Sequence, residues 1–183
     1  MNNTELIPVP HNFVVNENYG ELTIEFKWSR TMGAALLVFA LIWNAMLVFI
    51  VSKMPPEMRY FIVIHAGVGV FVLYYALCNL FNKTLITCNN YNLILKSGPL
   101  PAFNNKIIPK DDIAQLYFVQ KVKRGKNGTT ISYRLYMLDK NNRSKSLIKV
   151  LPDDEAARFI ELKLEKFYKI ENKAVAGEYD RKN

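Results

Sequence analysis

The chain of 183 residues carries 24 lysines and arginines against 16 acidic residues, a formal charge of +8 that points to a polyanionic partner: nucleic acid, an acidic protein or an anionic membrane surface. Its two cysteines and two histidines exclude a disulfide framework and a cysteine-based zinc site. A mean hydropathy of 0.00 hides a sharp division between uncharged apolar runs and a basic polar remainder.

In chain order, residues 1–18 hold Pro8, Pro10 and several asparagines and are expected to form a loosely ordered arm. ELTIEFKW at 21–28 alternates with period two and predicts a strand leading to a membrane, with Trp28 at headgroup level. Residues 32–51 and 60–81 contain no charge, and each reaches the roughly 20 residues that cross a hydrocarbon core as a helix. The polar link SKMPPEMR joins them, so 31–81 is expected to be a two-helix transmembrane hairpin, and 1–30 the arm and strand before it. The first run follows some thirty mostly polar residues and leads into a second span, which is not the pattern of a cleaved signal peptide. Two spans put both ends of the chain on one side. Lys27, Arg30, Lys83 and Lys96 flank the outer ends against Lys53 and Arg59 in the link, which places both termini in the cytoplasm. Within the spans Asn44 and His65 sit at similar expected depths, and antiparallel packing predicts an intramembrane polar contact between them. Such a contact serves as interhelical glue more often than as a proton relay.

Beyond Asn82 the pattern becomes β. TLITC at 84–88 and YNLILK at 91–96 flank an Asn89-Asn90 turn, GPLP at 98–101 interrupts the run, and long strands are expected at 113–123 and 129–138, with a shorter one at 146–150. These short-linked strands predict an antiparallel meander. PDDE at 152–155 marks a helix start, and Ala156, Phe159, Ile160, Leu164 and Phe167 follow at helical spacing. Arg158, Glu161, Lys163, Glu165 and Lys166 then form the face expected to be solvated, and residues 171–183 a frayed tail. The fold class is a membrane α-helical hairpin plus an α+β domain at 82–170.

The stretches NKTLIT at 82–87, LILKSG at 93–98 and IPKDDI at 108–113 carry a resemblance. Their order is similar to the threonine-rich first strand, the apolar second strand ending in glycine and the isoleucine-proline step into the third strand of bacterial pleckstrin-homology-like membrane proteins. The resemblance covers about residues 31–170 and implies a pleckstrin-homology-like β-meander closed by the C-terminal helix. It supplies no catalytic residues. In lipid-binding relatives the basic residues surround the first hairpin, whereas here Asn89-Asn90 occupies that turn and the cations lie on a later hairpin.

That hairpin is KVKRGKNGTTISYR at 121–134. A nucleotide-binding P-loop fails on spacing, because Gln120 stands where the first glycine belongs and Asn127 follows the lysine. Asn127-Gly128 instead predicts a two-residue turn. Its register faces Lys126 with Thr129, Lys123 with Ser132 and Lys121 with Arg134, a like-charge pairing that calls for an anion nearby. Lys121, Lys123, Arg124, Lys126 and Arg134 are therefore the expected anionic-surface or partner-binding residues. No metal-ligand spacing or dinucleotide loop occurs, and neither the acidic pairs nor the two histidines assemble a catalytic set, so no cofactor, metal or enzymatic activity is expected. Tyr117 and Tyr136 beside these cations offer a surface for stacking bases, but tethering beside lipid ranks nucleic acid last among the polyanions. The expected function is a scaffold or adaptor, an accessory subunit of a complex in the cell's inner membrane. Its partners are membrane lipids, anionic ones included, and another membrane protein or a second copy. The alternative is a sensor of an anionic lipid or ligand.

Overall fold

The computed structural model describes residues 8–102, 104–126, 128–151 and 153–179. Among them the order is β1 (Phe13–Asn18), β2 (Glu21–Lys27), α1 (Arg30–Lys53), a 3-10 turn (Pro56–Ile62), α2 (Val63–Phe81), β3 (Lys83–Asn89), β4 (Asn92–Gly98), β5 (Lys106–Pro109), β6 (Gln115–Gly125), β7 (Gly128–Leu138), β8 (Ser144–Leu151) and α3 (Asp154–Tyr168). One sheet runs β1-β2-β3-β4-β5 and a second runs β6-β7-β8. The β4–β5, β6–β7 and β7–β8 pairs are antiparallel. The architecture is thus α+β with two long apolar helices.

The chain forms two units. The first gathers the described residues up to Glu25, Leu85–Lys96 and those from Asn104 onward. Its core follows from period-two alternation: Leu22 and Ile24 on β2, Ile86 and Cys88 on β3, and Leu93 and Leu95 on β4 are all buried. Leu116, Leu135, Met137 and Leu151 do the same for the second sheet, and α3 adds Phe159, Ile160 and Leu164. Asp153 caps α3, its carboxylate accepting from the Ala156 N–H at 2.7 Å, and Asp154 and Glu155 complement the helix dipole in the first turn. The residues expected to be an arm include β1. Phe13 is buried edge-on against Phe159 with ring centroids 5.8 Å apart, and Gly20, at φ 78, makes the turn into β2. Burial of one aromatic ring stabilises this segment against the entropy its prolines and asparagines suggest.

The second unit comprises Phe26–Thr84 and Ser97–Phe103 and contains the apolar hairpin. α1 and α2 are long and apolar enough to cross a membrane, and most of their side chains are exposed, unlike those of a core helix in a soluble protein. The buried positions on α1 are Gly33, Ala40 and Leu47, seven residues apart, and they make a seam with Gly69 and Ala76 on α2. Small residues let the two backbones approach closely. A Cβ on Gly33 would stand 2.9 Å from Leu80 Cγ and 3.0 Å from Leu80 N.

Below the hairpin the chain is tied by polar groups. The Trp28 N–H donates to the Asn82 carbonyl at 3.2 Å, and Trp28 Nε1 donates to Thr84 Oγ1 at 2.8 Å, with Ser97 Oγ a further 3.2 Å from Thr84 Oγ1. Asn82, 2% exposed, donates through Nδ2 to the Leu100 carbonyl at 3.0 Å and accepts the Leu100 N–H on Oδ1 at 2.8 Å. Tyr74 OH donates to the Pro101 carbonyl at 2.6 Å.

Two glycines of the hairpin should respond to alanine with opposite signs. Gly67 has no atom within 4 Å of an added Cβ, so Gly67→Ala should gain up to about 1 kcal/mol of helix propensity, while Gly33→Ala forces the helices apart and should destabilise by about 1–3 kcal/mol. Thermal unfolding in detergent reads both.

Candidate functional site

The β6–β7 hairpin pairs Gly125 with Gly128, Arg124 with Thr129, Lys123 with Thr130, Lys121 with Ser132 and Val119 with Arg134. The expected register is shifted by two residues, so Lys121 and Arg134 are diagonal rather than opposite, and the inferred like-charge clash is relieved. Gly128 takes φ 132, open to glycine alone, as one of the pair closing the loop. The other expected turn residue, Asn127, lies outside the described residues. A shift of two preserves which face each side chain takes. Tyr117, Val119, Lys121 and Lys123 share one face with Thr130, Ser132, Arg134 and Tyr136, while Arg124 falls on the other face beyond Val122 and Ile131.

Lys121, Lys123, Arg124 and Lys126 are all exposed, and Arg134 is half-buried with its Nε shielded from solvent. Residues 113–138 carry no aspartate or glutamate, and no carboxylate among the described residues pairs with any of these five cations. Lys123, Arg124, Gly125, Gly128, Thr129 and Thr130 line an open depression of about 450 Å³ at the hairpin end. Val122 and Ile131, paired across the strands, are 48% and 50% exposed because the core stops short of them. The hairpin end therefore combines unneutralised cations with a small apolar pair. Tyr117, by contrast, is buried, stacked on Tyr136 at 5.6 Å and within 2.7 Å of Ser144 Oγ. Its ring is stacked and its hydroxyl is already bonded.

Asn44 and His65 are placed by the helix ends. Because residues 56–62 form a 3-10 turn and α2 starts at Val63, His65 lies in the first turn of α2, about 3 Å along its axis, whereas Asn44 is about 13 Å from the end of α1. Asn44 seats against Gly69, where a Cβ would stand 2.6 Å from its Oδ1, and its Nδ2 donates to the Ala40 carbonyl at 2.7 Å. His65 stands beside Trp43, ring centroids 6.1 Å apart, and its carbonyl accepts from Trp43 Nε1 at 3.4 Å. The seam thus matches Asn44 with a residue one turn beyond His65.

The face of α3 expected to be solvated is not uniformly so: Glu161 and Glu165 are 3% and 5% exposed. Glu161 lies four residues after Ala157 and three before Leu164, on the buried stripe, a spacing that signals its position before any contact is known. Residues beyond Glu171, expected to fray, return to the domain as far as Tyr179, whose N–H donates to the Phe118 carbonyl at 2.9 Å. Among the described residues no group of His, Cys, Asp and Glu side chains has metal-binding geometry.

Comparison with protein families finds no matching family model, and no curated protein matches the chain.

Cys88 is fully buried beside Tyr168, and burial pushes its thiol up to about 12. Because the thiolate is the reactive form, Cys88 should resist iodoacetamide at pH 8 in the folded protein and react promptly in denaturing detergent. Mass spectrometry of the alkylated peptide checks this; labelling of the native state would place Cys88 at the surface.

Proposed function

We propose that this chain is a non-enzymatic scaffold or accessory subunit, anchored in the cell's inner membrane by α1 and α2 with both termini in the cytoplasm. Its remaining strands and α3 make a pleckstrin-homology-like domain that docks on the acidic surface of a membrane-protein partner. The observation that carries the docking is the β6–β7 hairpin end, where Lys121, Lys123, Arg124 and Lys126 are exposed with no carboxylate between residues 113 and 138. Two mostly exposed helices with the length and hydropathy of membrane spans support the anchor. Two short-linked sheets packed with one C-terminal helix, in the order meander then helix, support the domain reading.

Extraction of the full chain in mild detergent should bring down a stoichiometric membrane protein, and changing Lys121, Lys123, Arg124 and Lys126 together to Gln should release it. A native chain that purifies alone would overturn the scaffold reading. For orientation, Glu57→Cys in the exposed link should react with a membrane-impermeant thiol reagent on intact cells; labelling only after lysis would invert the topology.

The exposed Val122–Ile131 pair favours a second reading, in which the hairpin end meets anionic headgroups with its cations and dips this pair into the interface. Four cations at about 1 kcal/mol each would favour an anionic surface several-hundredfold, an effect that salt weakens. In proteoliposomes containing the full chain, an environment-sensitive fluorophore on Val122→Cys should then shift to the blue with anionic but not neutral lipid and revert at high salt. The same spectrum in both lipids excludes this reading.

A further inference from the structure

Residues 170–179 lie over a face of the first unit that would otherwise be exposed. α3 ends at Lys169 in the left-handed conformation, and the Ile170 N–H returns to the Glu165 carbonyl at 3.0 Å. Gly177, at φ 87, turns the segment so that the Glu178 N–H donates to the Val175 carbonyl and Glu178 Oε2 accepts the Val175 N–H, both at 3.0 Å. Tyr179 then lies with its ring centroid 5.5 Å from both Phe118 and Tyr133, which are 6.3 Å from one another. Its N–H reaches the Phe118 carbonyl on the side of β6 away from β7, the open edge of the second sheet.

Beneath this strap are carboxyl groups without counter-charges in proportion. Glu161 and Glu165 from α3 and Glu178 from the strap face one another electrostatically, with Arg158 the opposing cation. Glu161 Oε1 is shielded from solvent and has no hydrogen-bond partner. Among the described residues Glu165 receives long contacts of 3.4 Å, from Asn172 Nδ2 and from the Gln115 amide on β6. Turned over, that amide makes two better bonds with the strap, donating to the Glu171 carbonyl at 2.8 Å and accepting the Lys173 N–H at 3.1 Å. The turn sets the amide oxygen toward Glu165, an oxygen facing an oxygen, which is favourable only when Glu165 carries a proton to donate.

We propose that residues 171–179 are a proton-held strap: with Glu161 and Glu165 protonated it lies closed over α3 and plugs the Phe118–Tyr133 slot with Tyr179, and ionisation of these carboxyls lifts it and opens the slot. Burial, with Glu165 and Glu178 as like charges, pushes the Glu161 carboxyl up to about 8, and burial pushes Glu165 up to about 7, both from an ordinary 4.5. The closed state therefore binds protons that the open state releases. Its advantage is complete below the ordinary value, declines as pH rises and is lost above about 8. Opening uncovers two aromatic rings and a free carbonyl on the β6 edge.

Trypsin cleavage after Lys173, followed by mass spectrometry on the full chain in detergent micelles, reports the open strap. Rates are taken relative to a free peptide of residues 170–179, which removes the pH response of the protease. Between pH 6 and 8 the relative rate should rise by up to about tenfold per pH unit for each proton lost. Glu161→Gln with Glu165→Gln should flatten that rise and keep the strap closed at pH 8.5. Tyr179→Ala should leave it open at both ends of the range. Glu178→Gln alters only the strap; with that like charge gone Glu161 and Glu165 ionise at lower pH in the closed state, so the rise should be smaller and level off at lower pH, a test that stands even if the double variant misfolds. A relative rate that does not change with pH in the native chain, or a Glu178→Gln profile that superimposes on the native one, overturns the proposal.

Discussion

The two hydrogen bonds between the Asn82 side chain and the Leu100 backbone fix the point where the chain leaves the apolar hairpin. Both partners are backbone groups of a loop that holds Pro99 and Pro101, so neither a strand nor a helix is present to satisfy them. At 2% exposure Asn82 has no water to fall back on, and leaving its amide and the two Leu100 groups unpaired would cost about 1–3 kcal/mol for each buried group. The Asn82 carbonyl also takes the Trp28 N–H, so one residue holds both the incoming and the outgoing ends of the hairpin. β2 and β3 are neighbours in one sheet although the end of β2, Lys27, and the start of β3, Lys83, are 56 positions apart.

The hairpin and the sheets are built on different balances. α1 and α2 touch through a seam of Gly33, Ala40, Leu47, Gly69 and Ala76, where close backbone approach supplies dispersion contacts. Asn44 and Asn79 are polar residues on that seam: the absence of a side chain at Gly69 makes room for Asn44, and Gly33 lies against Asn79. In the first unit burial does the work: alternating side chains of two sheets and one stripe of α3 supply Leu22, Ile24, Ile86, Leu93, Leu116, Leu135, Phe159 and Leu164, all nearly inaccessible.

Charge is distributed with the same asymmetry. Lys121, Lys123, Arg124 and Lys126 lie beyond the core, where solvation is available and no acid among the described residues pairs with them. Glu161 and Glu165 are buried where solvation is poor, which makes their charged forms expensive. The same two strands serve both regions: Phe118 and Tyr133 hold Tyr179 near the body of the domain, and Lys121 to Thr130 carry the exposed end.

The sequence by itself determined what local periodicity encodes. The uncharged runs specified α1 and α2, alternation specified the strand faces of β2 through β4, and Asp153 with the spacing from Ala156 to Leu164 specified α3 and its apolar stripe. The basic, carboxylate-free hairpin was equally legible, because its composition needs no partner to be seen. Tertiary structure alone decided the rest. Two hairpin registers that differ by two residues bury the same faces, so the alternation of β6 and β7 could not choose between them, and loop closure at Gly125 and Gly128 did. β1 is ordered by a distant Phe159, and Asn44 is matched with Gly69 by where the 3-10 turn ends. Glu161 and Glu165 look solvated as residue types and are buried on the stripe of α3 that packs into the domain. A local pattern states which side of an element is apolar; only the closed chain states what lies against it.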